Sequence, residues 1–246
     1  MEKGTLYIVA TPIGNMGDIT KRAVEILSTV DFVACEDTRV AGGLFHQLEI
    51  KKEMVSIHQH SSDEKIGFII RELEAGKSVA YVSDNGTPGI SDPGQKLVQM
   101  VREVCHPEFI SGSNNEIPKQ VRNDNTNIQI IPIPGPSAVT AAISVSGMVE
   151  KEFYFVGFLP KKKGRETKFK WLKLLDCSIV IYESAIRLEK TLIDIQKYLG
   201  ENTEVFLARE MTKKFEEYWG GNIAEIINDL KSHTIKGEFV IVAKVK

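Results

Sequence analysis

The residues best suited to chemistry lie where apolar runs stop. Val79 to Gly94 reads VAYVSDNGTPGISDPG: an apolar run ends at Ser83-Asp84, and Gly, Pro, Ser and Asp crowd the positions after it. Small and turn-forming residues at a strand end bring backbone and short polar groups within reach of a ligand. The same residues also suit two tight turns with no ligand at all. Two further loops have the same make-up. They are Thr11-Pro12-Ile13-Gly14-Asn15-Met16-Gly17-Asp18 after Leu6 to Ala10, and Pro132-Ile133-Pro134-Gly135-Pro136-Ser137-Ala138 after Ile128 to Ile131. Another run, Phe32 to Cys35, ends in Glu36-Asp37-Thr38-Arg39. A crevice shared by these strand ends accounts for the repetition better than coincidence does.

The elements that must position these loops alternate. Short apolar strands at Leu6–Ala10, Phe32–Cys35, Met54–Ile57 and Val79–Val82 are separated by amphipathic helical patterns. Asp18 or Thr20 can cap the first helix, Val40–Leu48 reads as the second, and Gly76 stops the one spanning Asp63–Ala75. Such alternation predicts an α/β fold with a largely parallel sheet. From Cys105 to Asn127 neither period holds, which reads as an exposed insertion or, alternatively, a substrate-contacting lid. A small-residue helix ends near Ser146-Gly147, and the chain divides there into domains 1–147 and 151–246. The second half carries strands at Phe153–Phe158, Ile179–Tyr182, Val205–Leu207 and Phe239–Ala243, with a helix over Ile223–Leu230.

Composition bounds the function. A chain of 246 residues, 42% hydrophobic and 26% charged, can bury a sizeable core. A net charge of −2 argues against binding nucleic acid through the whole surface but permits a local basic patch. Lys161–Lys173 holds seven Lys or Arg against one Glu, with Phe169 and Trp171 among them. Its helical part would turn Phe169, Leu172 and Leu175 inward, leaving either a solvated face or a phosphate-binding one. The three cysteines are dispersed and imply neither a disulfide framework nor zinc, and His58 and His60 lack an obvious third ligand. No membrane-length apolar run or signal peptide is visible, so a cytoplasmic protein is expected. P-loop, GxGxxG and GxSxG motifs are all missing.

The stretches LYIVATPIGNMGDIT, ACEDTR, VSDNGTPGISDPG and PIPGPSA resemble those of the tetrapyrrole methylase superfamily. Within it they resemble the branch that methylates the ribose 2′-oxygen of a cytidine in the decoding region of 16S ribosomal RNA. FVGFLPKKKGR, IVIYESAIRL, AREMTKKFEE and KGEFVIV look like later motifs of that branch, so the likeness covers everything except Cys105–Asn127. It implies S-adenosylmethionine as methyl donor, a cleft between two α/β domains, and a homodimer. By this pattern Ser83, Asp84, Asn85, Gly86, Thr87, Pro134, Gly135, Ser137 and Ala138 contact the cofactor, with Pro12 and Gly14 shaping the cleft beside them. Glu36, Asp37 and Glu210 are the candidate bases and, with Arg39, the candidate catalytic set. Arg39, Arg187, Arg209 and Lys213 would hold phosphates, and Lys161, Lys162, Lys163 and Arg165 would meet RNA backbone.

The pattern also has departures. Asn85 stands where the family commonly has Ala, and Ala185-Ile186 precede Arg187 where the branch usually shows Pro-His. Two other functions fit the same motifs. One is a tetrapyrrole C-methyltransferase; the other is a non-catalytic RNA-binding relative disabled by the insertion.

Overall fold

Why a strand as short as Val79–Val82 can anchor a sheet is clear from its two faces. In the computed structural model, which describes residues 4–57, 63–105 and 128–245, every residue of this run is buried. Val79 and Tyr81 pack with Ile66, Ile69, Leu97 and Val101, whereas Ala80 and Val82 pack with Ala23, Leu27 and Phe45 on the opposite side. A parallel strand covered on both faces reads as a continuous apolar run, as this one does.

The first sheet comprises β1 (Thr5–Val9), β2 (Phe32–Cys35), β3 (Met54–Ser56), β4 (Ser78–Val82) and β5 (Gln129–Ile133) in the order β3-β2-β4-β1-β5. All its pairings are parallel, with Leu6 opposite both Val79 and Ile130. Helices α1 (Lys21–Thr29) and α2 (Thr38–Gln47) cover one face; α3 (Asp63–Glu74) and α4 (Gly94–Cys105) cover the other. Of the two candidate caps for α1, Thr20 acts: its Oγ1 accepts from Ala23 N at 3.0 Å, while Asp18 ends a short 3-10 turn. Helix α2 starts two residues earlier than its apolar pattern suggests, because Asp37 caps it by accepting from Arg39 N at 2.8 Å. His58, His60 and nearly all of the Cys105–Asn127 segment fall outside the described residues.

The chain packs as two units. One comprises Met1–Pro12 and Met16–Pro136; the other comprises Ile13–Asn15 and Ser137–Lys246. Helix α5 (Ala138–Ser146) belongs to the second, where it packs on β10 and ends at a left-handed Gly147. The second sheet runs β6 (Phe153–Phe158), β7 (Ser178–Ser184), β10 (Glu238–Lys244), β8 (Glu204–Arg209) and β9 (Glu217–Asn222). Only β6 and β7 pair in parallel; the remaining pairings are antiparallel. Helices α6 (Arg165–Leu172), α7 (Ala185–Leu199) and α8 (Ile223–Asp229) enclose a core that includes Phe169, Leu172, Ile181, Leu192, Leu207 and Ile241. As the sequence predicts, Phe169 and Leu172 turn fully inward, and burial of each contributes roughly 2 kcal/mol.

Strand β9 is an element that the sequence does not announce. Its residues, EYWGGN, have no sustained alternation and include two adjacent glycines, yet they close the sheet as an edge against β8.

Candidate functional site

β1 and β4 lie side by side, and their chains leave in opposite senses: β1 toward the face that α1 and α2 cover, β4 toward the face of α3 and α4. Loops that part from neighbouring parallel strands open a crevice at the carboxyl ends, where α/β sheets take ligands.

Backbone and short side chains tie this crevice together. Thr11 N donates to Gly86 O at 2.9 Å, and the buried Ser83 Oγ donates to the same oxygen at 3.3 Å. Gly86 holds φ 80°, a left-handed conformation that side chains resist. Thr87 Oγ1 donates to Pro136 O at 2.9 Å, joining the β4 loop to the β5 loop. Asn85, Pro134 and Gly135 are exposed and Pro12 is half-buried, so backbone remains approachable along both loops.

The carboxylates behind the loops differ. Asp84 Oδ1 accepts from Asp37 N at 3.1 Å, fixing the start of α2 against the central loop. Asp37 is held well below the usual carboxylate range by hydrogen bonds from Arg39, whose Nε lies 3.0 Å from its Oδ1. Glu36 moves the other way: partial burial raises it, and the charges of Asp84 and Asp92 add to the effect. Asp92, which sequence reasoning passed over, braces the loop. It accepts from Tyr81 OH at 3.2 Å, Gly94 N at 2.8 Å and Ile90 N at 2.9 Å.

In the second unit Ser137 sits at the N-cap of α5 without capping it. Val139 N donates instead to Tyr182 OH, at 3.1 Å, and Ser137 Oγ is buried without a hydrogen-bond partner among the described residues. Thr212 shares this condition: its Oγ1 is also buried and has no partner among the described residues. Thr212 and Glu210 are both left-handed, at φ 64° and 47°, which is uncommon for residues with a side chain and unfavourable for a β-branched one. Gly14 lies against this loop. A Cβ there would fall 2.4 Å from Lys213 Cγ and 3.0 Å from Thr212 Oγ1. No sequence signal marks Thr212, since a positive φ at threonine has no compositional trace.

The charged residues of this unit are largely spoken for. Burial raises the Glu210 carboxyl, but the Lys213 ammonium and the Glu238 N–H outweigh it and hold the group low. Lys213 Nζ is shared between Glu210 at 2.9 Å and Glu238 at 2.8 Å. Arg209, expected to hold a phosphate, is only 8% exposed and bonds Lys236 O, Phe215 O and Glu217. Arg165, expected on RNA, is 6% exposed and bonds Asp194, Thr191 and Pro160 O. Both guanidinium groups are therefore placed inside and bonded to protein, not on the surface where the expected phosphate contacts would be made. A signal for Arg165 was present, because it precedes Phe169 by four residues and Leu172 by seven, on one helical face. Lys161, Lys162 and Lys163 are exposed and make no side-chain hydrogen bond or ion pair among the described residues.

Comparison with known proteins adds identity to this geometry. Residues 5–112 and 109–227 match the family described as Tetrapyrrole (Corrin/Porphyrin) Methylases. A protein of Synechocystis named Ribosomal RNA small subunit methyltransferase I is 41% identical over 97% of this chain and 78% of its own length. One of the same name from Thermotoga maritima is 41% identical, with 99% of each chain covered. Among solved structures, uroporphyrin-III C-methyl transferase from Thermus thermophilus complexed with S-adenyl homocysteine superposes with a TM-score of 0.62 at 15% identity, covering 98% of each chain. That likeness concerns the fold.

Proposed function

Because the chain belongs to the tetrapyrrole (corrin/porphyrin) methylase family, we propose that it transfers a methyl group from S-adenosylmethionine to the ribose 2′-oxygen of a cytidine in 16S ribosomal RNA. The observation that carries this reading is the near-full-length identity to proteins named for methylation of small-subunit ribosomal RNA. The solved relative holding S-adenyl homocysteine, the demethylated form of that donor, supports the cofactor.

The site residues fit such a donor. A large polar cofactor needs close backbone approach and a few fixed hydrogen-bonding groups. The Ser83–Thr87 and Pro134–Gly135 loops offer the first, with Asp84 and Asn85 among them. In the second unit, Ser137 Oγ offers a buried hydroxyl whose hydrogen-bonding capacity no group among the described residues meets, next to Ala138. When bound, S-adenosylmethionine supplies a methyl group already activated on sulfonium. What remains for the protein is to hold the acceptor in line and receive its proton.

Among the expected bases, Glu36 suits proton removal best. Its raised affinity for protons contrasts with Asp37, neutralised by Arg39, and Glu210, neutralised by Lys213. Arg39, with its side chain 89% exposed, stays available to the acceptor's phosphates, as do Lys161, Lys162 and Lys163. We take the active form to be a cytoplasmic homodimer. No helix among the described residues is long and apolar enough to cross a membrane.

The test is a competition assay. Purified protein receives methyl-labelled donor with small ribosomal subunits, their free RNA and uroporphyrinogen III in parallel, and the RNA is digested to nucleosides. Label in 2′-O-methylcytidine is the expected result. Label in the macrocycle would replace the RNA reading with tetrapyrrole methylation. Failure to bind donor in titration calorimetry would mark a relative that no longer methylates.

A further inference from the structure

The two arginines flanking the exposed lysines converge on the backbone that carries them. Leu159 and Pro160 lead out of β6, Lys161–Lys163 form the turn, and Arg165 opens α6 after a left-handed Gly164. Arg187 Nη2 donates to Leu159 O at 2.6 Å, and Arg165 Nη1 donates to Pro160 O at 3.3 Å. One carboxylate near the end of β7 fixes Arg187 directly and Arg165 through Thr191. Glu183, with its side chain wholly buried, accepts from Ser184 N at 2.9 Å and Thr191 Oγ1 at 2.7 Å and pairs with Arg187 Nε at 3.2 Å. Thr191 Oγ1 also receives Arg165 Nη2 at 2.8 Å, and Asp194 receives Arg165 Nε at 2.7 Å.

A network so fully satisfied resists deformation, since any displacement strands a buried charge. We propose that Arg165, Arg187, Thr191 and Glu183 are positioning residues, a buried brace that presents Lys161, Lys162 and Lys163 in one conformation to the phosphates of the RNA substrate. This rests on the reading that the lysines meet RNA. Without the brace the turn and its long side chains must be ordered during binding, at a cost to affinity.

Salt dependence separates bracing from contact. Each lost phosphate contact lowers the slope of log affinity against log salt by about 0.7 to 0.9, whereas lost preorganisation leaves the slope unchanged. Binding of 16S RNA fragments would be measured across salt for the intact chain, for Arg187→Met, for Thr191→Val (a milder isostere should the first fail to fold), and for Lys161, Lys162 and Lys163 together changed to Gln. The triple variant should lower the slope by about 2 to 3. Arg187→Met and Thr191→Val should weaken binding about 3- to 10-fold at unchanged slope. Added to the triple variant, neither should weaken it further. Limited trypsin digestion, which needs no RNA, should cut after Lys161–Lys163 faster in both brace variants.

A slope reduced by Arg187→Met would make it a direct contact and overturn the proposal. Losses that add to those of the triple variant, or unchanged cutting in both brace variants, would overturn it too. A triple variant that binds RNA like the intact chain would instead sink the RNA role of the lysines, while the trypsin result still decides whether the brace holds the turn.

Discussion

The strand ends of the two sheets treat polar groups in opposite ways. After β1, β4 and β5 the chain offers small residues and exposed backbone, and after β2 one carboxyl, Glu36, pushed toward its neutral form by its surroundings. After β6, β7 and β8 the inward-facing cations are matched: Arg165 by Asp194, Arg187 by Glu183, Arg209 by Glu217, Lys213 by Glu210. Among the described residues of that unit, Ser137 Oγ, Thr212 Oγ1 and Trp219 Nε1 are buried without a partner, and the lysine turn is exposed. Satisfied groups hold architecture in place; unsatisfied ones are left for something that arrives from outside. Function in this chain is therefore best sought where pairing stops.

Removing a matched partner should do the greatest damage. Glu183→Ala leaves the half-buried Arg187 without its ion-pair partner and the buried Thr191 hydroxyl without its acceptor, and should cost about 3 kcal/mol, read as a lower urea midpoint at constant slope. A survivor with unchanged midpoint would mean that the network is ornamental. In the first unit the corresponding sensitivity is steric. A Cβ on Gly94 would lie 2.3 Å from Tyr81 Cε1 and 2.7 Å from Asp92 Oδ1, so Gly94→Ala should cost about 2 kcal/mol and lower the thermal midpoint.

Ser137→Ala sharpens the contrast from the other side. It removes a hydroxyl with no partner, so stability should change by less than about 0.5 kcal/mol, while donor affinity in calorimetry falls about 5-fold. Loss of stability with intact donor affinity would reverse the assignment.

The smallest effect is a pH dependence. His233 is raised above its ordinary 6.5, chiefly by its bond to Glu217, with Asp229 on its other nitrogen. Its proton is held more tightly in the folded chain than in the unfolded one. The stabilisation is thus complete below about pH 6.5 and fades as pH rises through the folded value. His233→Gln should lower the midpoint below about pH 6.5, flatten the midpoint-against-pH curve in that window, and leave the midpoint unchanged at higher pH.

Much of the fold was legible in the sequence for definite reasons. Val79–Val82 announced a doubly covered strand by its unbroken apolar run, and the Gly-Pro-Ser-Asp clusters announced where it stopped. The inward faces of Phe169 and Leu172 followed from helical spacing. Charge was read less well, because a list of cations does not say which ones desolvate. Arg165 and Lys163 look alike in a basic run, yet one is buried among Asp194 and Thr191 and the other is solvated. Partnering across long separations, such as Arg209 with Lys236 O, is set by the register of β8 on β10, which no local pattern encodes. Edge strand β9 escaped because glycine carries no periodic signal.

Ile13–Asn15 precede α1 and most of the first sheet in the chain, yet they pack as part of the second unit, with Gly14 against Met211–Lys213. Those partners are synthesised only after most of the chain has appeared. The first sheet can assemble while translation continues, but this short segment must wait. The Gly14 contact can therefore form only after the segment following β8 has been made, and nascent chains that stop before β8 should accumulate with a folded first sheet and an unfastened loop.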